Sequence, residues 1–175
     1  MSLPQPPAPA KLVVSLIMKD RGLLPELAAE LEAVFGPLEM VSRWLDFDFT
    51  PYYEAEMGRP LVRRMLAFRT LVAQERLAEI KLATNAIEAR HAAGGCRRVN
   101  IDPGILLLAR FVLATGKNFA HRIYLNKGIY ADLTLVYARG AFQRLPWTYP
   151  DYADVTLLGF LQQARRRYQL EIHHD

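Results

Sequence analysis

Cys96 is the only cysteine in the chain, which excludes an intramolecular disulfide and a thiolate zinc cage and leaves stability to packing. It directly follows two glycines, and Arg97 and Arg98 come after it; it reads as a bystander rather than a nucleophile. Serine is nearly as scarce. Ser2, Ser15 and Ser42 are the whole set, and none stands in a glycine turn between strand and helix, so serine acyl transfer has no support. No apolar run approaches the roughly 20 residues needed to span a bilayer. The opening MSLPQPPAPAK has no apolar stretch of the kind a signal peptide requires. A cytoplasmic protein with no membrane partner is expected.

Several catalytic signatures are missing as well. There is no glycine-rich dinucleotide fingerprint, paired-cysteine metal motif, helical His-Glu-x-x-His or serine nucleophile elbow. Gly116-Lys117 invites a phosphate-loop reading. However, Asn118 stands where a magnesium-ligating hydroxyl is required, and Phe111 where the first glycine belongs.

What is present is a chain of 175 residues, 51% of them apolar, enough for one buried core and short for two. The formal charge of +4 favours an anionic partner only weakly. Much of the excess lies in Arg97-Arg98 and in Arg165-Arg166-Arg167, the latter read as the solvated face of a helix.

The four prolines between Ser2 and Ala10 mark residues 1–10 as a flexible leader, and 11–175 as a single α+β domain. Leu12, Val13, Val14, Leu16 and Ile17 predict a central strand. Leu24, Leu27, Ala28, Leu31, Val34 and Phe35 predict a helix that Gly36-Pro37 ends. From Leu38 to Phe49 the period becomes two, with Leu45, Phe47 and Phe49 on one side and Trp44, Asp46 and Asp48 on the other. A loop, a strand over 61–71 and a helix over 74–93 follow.

Arg97 to Asp102 reads as a strand broken by Asp102-Pro103-Gly104. Periodicity does not arbitrate the apolar run from Ile105 to Ala114, for which we expect a helical turn and then a strand. Strands over 121–125 and 129–138 join at Asn126-Lys127-Gly128, with Ala131, Leu133, Leu135 and Tyr137 on one face and Tyr130, Asp132, Thr134 and Val136 on the other. Asp154 caps a last helix. The pattern predicts an α+β fold with helices on a largely antiparallel sheet, its first six elements following ferredoxin-like order.

Reactive side chains concentrate in three places. Asn100 and Asp102 share one side of a strand end, where a carboxylate can accept a proton or simply fix a turn. Thr115 to Tyr124 gathers a hydroxyl, Lys117, His121, Arg122 and a phenol beside a flexible glycine, a set suited to holding an anion. Asp46 and Asp48 form an i, i+2 carboxylate pair that could take a divalent metal, the one cofactor the sequence suggests, or be a polar strand face. Near the C-terminus, Pro146 to Tyr152 interleaves aromatics and prolines that stack on a ligand or cover the core edge.

The segments VNIDPG, VLATGKN, HRIYL, GIYADLTLVY and WTYPDY, with FDFTPYYEAEMG and KLVVSLI upstream, resemble the prokaryotic family catalogued as domain of unknown function 4416. The resemblance runs from Lys11 to Tyr168 and implies a small, stand-alone, prokaryotic cytosolic protein.

The favoured reading is a domain that binds, and can act on, a small anionic ligand, phosphorylated or nucleotide-like. Lys117, Arg122 and Thr134 would hold it, Tyr53 or Tyr149 would cover it, and Asp102, His121 and Asp132 would serve as acid, base or metal groups. A non-catalytic RNA-binding module and a scaffold or oligomer subunit are the alternatives.

Overall fold

In the computed structural model, which describes residues 3–172, the apolar run after the leader forms β1 (Ala10–Met18), buried along its whole length. The run does not alternate because both faces are covered. Leu12, Val14 and Leu16 enter one apolar cluster, Val13 a second and Ile17 a third. Beyond β1 come α1 (Leu24–Phe35), β2 (Leu38–Val41), β3 (Leu45–Asp46), α2 (Glu54–Met57), β4 (Val62–Val72) and α3 (Leu77–Arg90). The second half holds β5 (Val99–Leu106), β6 (Arg110–Thr115), β7 (Arg122–Asn126), β8 (Ile129–Ala138), β9 (Ala141–Arg144) and α4 (Val155–Glu171).

The strands form a sheet in the order β2-β4-β1-β5-β6-β8-β7, with β3 beside β4 and β9 beside β8. Every pairing is antiparallel, so the fold is α+β. β4 lies between β1 and β2, the two strands that α1 connects. α1 and α3 cover one face through Leu27, Leu31, Ile80 and Ile87, and α4 covers the other through Leu157, Leu161 and Ala164. Asp154 caps α4 as expected, its Oδ1 accepting from the amides of Thr156 at 2.8 Å and Leu157 at 3.0 Å. No described helix is long and apolar enough to cross a membrane.

The structure adds β9, which the sequence reading did not place, and departs from that reading at four further points. The strand expected over 38–49 is interrupted at Ser42, whose hydroxyl accepts from the Met65 amide at 3.0 Å and donates to the Arg43 carbonyl at 2.7 Å. A side chain thus replaces a rung of the ladder, and β2 and β3 pair with β4 separately; Phe49, expected inward, is exposed. Second, the loop before β4 contains α2.

Third, β5 runs straight through Asp102-Pro103-Gly104, so neither the turn nor the helical turn after it forms. The Ile101 amide and carbonyl face away from β1, onto α3 side chains, so Pro103, two residues on, puts its missing N–H on the same unpaired edge. Gly104 is there for close packing: a Cβ would lie 2.7 Å from the Phe111 ring and 2.8 Å from the Val112 carbonyl oxygen.

Fourth, Phe111 opposes Leu135 while Val112 opposes Leu133, leaving Thr134 as an extra residue in β8. The expected single apolar face is split, with Ala131 and Leu133 packing under α1 and α3 and Leu135 under α4.

Candidate functional site

On the α4 face of the sheet, β1 presents Val13, Ser15 and Ile17 in succession. Val13 belongs to the apolar cluster beneath α4, and Ile17 to a separate cluster with Phe47, Met57 and Leu61 from the segment between β3 and β4. Ser15 lies between the two. Register places Asp102 opposite Ser15, and Asn100 and Arg63 on either side of Ile17. A polar seam therefore crosses the sheet where two apolar clusters would otherwise merge, with the rings of Tyr152 and Tyr53 over it.

The seam is buried, and its polar atoms are incompletely paired. Arg63, 3% exposed, has its guanidinium over the rings of Phe47 at 4.9 Å and Tyr152 at 5.0 Å and donates through Nη2 to Asp151. Its Nε and Nη1 have no hydrogen-bond partner, and neither have the Ser15 hydroxyl and the Tyr152 phenol, each buried. Burial pushes the Tyr152 phenol well above its usual range, opposed by the Arg63 charge and by the Ser15 hydroxyl, which lies close to the phenol but falls short of hydrogen-bond geometry. Tyr53 is raised in the same way, first by burial and then by the charge of Asp102.

The sheet opens at one end of this seam. β5 and β6 pair from Gly104–Leu113 to Leu106–Phe111 and then part. Continued pairing would set Asp102 against Thr115; instead the free edge of β5 is closed by α3. Lys81 donates to the Ile101 carbonyl at 2.8 Å and to Asp102 at 3.1 Å, and Glu88 accepts from the Ile101 amide. Glu88 is held above the usual carboxylate range by burial, with the Lys81 charge pulling the other way. Asn100 donates to Asp102 at 2.6 Å. Arg97 grips Glu56 through Nε and Nη2 and lies 5.7 Å from the Tyr53 ring centroid.

Across the opening stands the second predicted set. Arg122, His121 and Asp132 do meet: Arg122 Nε donates to Asp132 Oδ2 at 2.8 Å, and His121 Nε2 is 3.3 Å from the same oxygen. Burial works against the Arg122 charge, but the bonds to Asp132 and to the Tyr149 hydroxyl outweigh it and raise its pKa. His121 stacks on Trp147 at 5.0 Å. Thr134 is turned inward, its hydroxyl donating to the carbonyl and the carboxylate of Asp132. Lys117 reaches back over the gap to donate to the Tyr52 hydroxyl at 2.8 Å. That bond and the ammonium charge lower the Tyr52 phenol below its ordinary value.

The two sets are bridged by short segments. Tyr52 and Tyr53 contact edge to face at 4.9 Å. The turn Pro150–Ala153 places Tyr149 against Arg122, Asp151 against Arg63 and Tyr152 over the seam. Asp102 and Asp132 share no hydrogen-bond partner; they stand on opposite sides of the opening. Asp46 and Asp48 are exposed and belong to no cluster of three metal-ligating side chains among the described residues. They line a cavity of about 430 Å³ whose wall also includes Arg43, Phe49, Arg63 and Asp151.

A family model described as Domain of unknown function (DUF4416) matches residues 8–168. The chain belongs to this family. The DUF4416 match begins just before β1 and ends at Tyr168, a buried residue of α4, so it takes in every strand and every residue of the seam. No curated protein and no solved structure matches the chain.

The sequence reading named Asp102, Lys117, His121, Arg122, Asp132, Thr134, Tyr53 and Tyr149, which lie around the opening. It did not name Ser15, Arg63 and Lys81, which lie in or beside the seam. Ser15 carried a signal, as a lone hydroxyl inside the apolar run from Leu12 to Met18. Arg63 and Lys81 sat among ordinary surface-looking basic residues, and only register and helix packing reveal that they are buried.

Proposed function

We propose that the seam binds a small ligand bearing a carboxylate or phosphate group. The observation that carries this reading is the set of four buried, unpaired polar atoms: Ser15 Oγ, Tyr152 OH, and Arg63 Nε and Nη1. Each unpaired buried polar group costs about 1–3 kcal/mol, and native proteins keep few of them. All four can donate a hydrogen bond, so the complementary group is rich in acceptors. Lys117 adds a charge: among the described residues it makes no ion pair, while Arg63, Lys81, Arg97 and Arg122 each have a carboxylate. Tyr53 and Tyr52 form the cover, and His121 with Asp132 is the acid–base pair beside the opening. The reading is of a cytoplasmic prokaryotic protein, in which small carboxylated and phosphorylated metabolites are the natural candidates.

A thermal-shift titration with inorganic phosphate and with malonate tests this. Binding to the folded state raises Tm with ligand concentration. Arg63→Lys, which keeps the charge and removes Nε and Nη1 from the fork, should abolish the shift. An unchanged shift in Arg63→Lys, or none in the parent protein, overturns the proposal. Salt-sensitive retention of RNA with no response to either anion would favour the RNA-binding alternative.

A further inference from the structure

We infer that the cavity beside β3 seats a hydroxyl-rich, sugar-like portion of the same ligand; this rests on the seam being the anion site. The cavity, about 430 Å³, borders the seam at Arg63 and Asp151, which belong to both. Its volume is within the range of small-molecule sites. Two observations fix its chemistry.

The first is charge. Asp46, Asp48, Asp151 and Asp154 line it against Arg43 and Arg63. Asp151 is spent on Arg63, and Asp154 caps α4. The Asp46 and Asp48 carboxylates are exposed and take part in none of the described side-chain hydrogen bonds or ion pairs. A second anionic group would be repelled here. A neutral group with many O–H donors would not, because ionised carboxylates accept strongly and in pairs from neighbouring hydroxyls.

The second is the Arg43 guanidinium in the wall. It is exposed and bonds through Nη2 to the Thr156 hydroxyl at 2.6 Å, which leaves further N–H donors beside the carboxylate acceptors. A sugar hydroxyl gives one bond and takes another, and this mixed lining answers both needs. Phe49, 44% exposed, adds an apolar surface for the carbon face of a ring.

The test compares calorimetric affinities of the full chain for inorganic phosphate, ribose 5-phosphate and glucose 6-phosphate, in the parent protein and in Asp46→Ala/Asp48→Ala. One of the sugar phosphates should bind at least about tenfold tighter than phosphate, and the double variant should lose that gain while binding phosphate as before. Two results overturn the inference while leaving the anion site intact: sugar phosphates no tighter than phosphate, or a variant that binds them better because it has lost a repulsive charge. If no anion binds at all, the seam reading and this inference fall together. Asp46 and Asp48 are exposed, so the substitutions leave folding intact, which an unchanged Tm verifies.

Discussion

Replacing Tyr152 by phenylalanine removes one oxygen from the centre of the seam and leaves the ring. That ring is 3% exposed, 6.0 Å from Phe111 and beneath the Arg63 guanidinium, and phenylalanine preserves those contacts. The lost oxygen has no hydrogen-bond partner. Relief of its desolvation should stabilise the ligand-free protein by about 1–3 kcal/mol, a rise of about 2–4 °C in Tm for each kcal/mol in a chain of this size. Tyr168→Phe is the matched control. Its hydroxyl is also buried but donates to the Pro9 carbonyl at 2.9 Å, so the same chemical change should destabilise by about 1 kcal/mol. Urea denaturation of the three proteins measures both. Opposite signs support the argument. If Tyr152→Phe loses stability as Tyr168→Phe does, the phenol is paired in solution, most simply with Ser15, and the seam holds no vacant donors.

Three further outcomes follow from the geometry. Lys81→Met leaves the Ile101 carbonyl and Asp102 without their shared cation and should cost about 2–3 kcal/mol, read by denaturation, because removing one partner of a largely buried pair strands the other; a loss below about 0.5 kcal/mol contradicts the role given to this lysine at the free edge of β5. Gly104→Ala forces a methyl against the Phe111 ring and the Val112 carbonyl and should destabilise by about 1–3 kcal/mol; a neutral result means β5 and β6 are further apart than described. Lys117→Met should move the Tyr52 phenol upward toward its ordinary value of 10.0 in an ultraviolet pH titration, since the depressing bond and charge both come from that lysine; an unmoved titration shows that Lys117 does not bridge the opening.

The alternation of apolar residues made the fold class legible, because it reports which faces are buried, and the capping carboxylate of Asp154 marked the start of α4. Lys127 and Gly128 take positive φ values of 51° and 78°, so the hairpin between β7 and β8 was legible from its turn residues. The misreadings share a cause. Pro103 and Gly104 carry turn chemistry, but the tertiary setting decides: one lies on an edge with no partner, and the other makes room for Phe111. Nothing local announces the bulge at Thr134, which arises from pairing with a strand some twenty residues away. The candidate site was half visible for the same reason. Lys117, His121, Arg122 and Asp132 are close in sequence and could be seen as a group, whereas Ser15, Arg63, Asp102 and Asp151 meet only through the register of β1 with β4 and β5 and the return of the chain before α4.

The central claim is that the seam is built to be completed by a ligand, at a cost to the empty protein. Calorimetric titration of phosphate or malonate into the parent protein and Ser15→Ala/Tyr152→Phe, with the stability of each measured alongside, tests it most directly. The double variant should be more stable than its parent and bind at least about tenfold more weakly. A variant that is less stable, or that binds as well as the parent, would contradict the account.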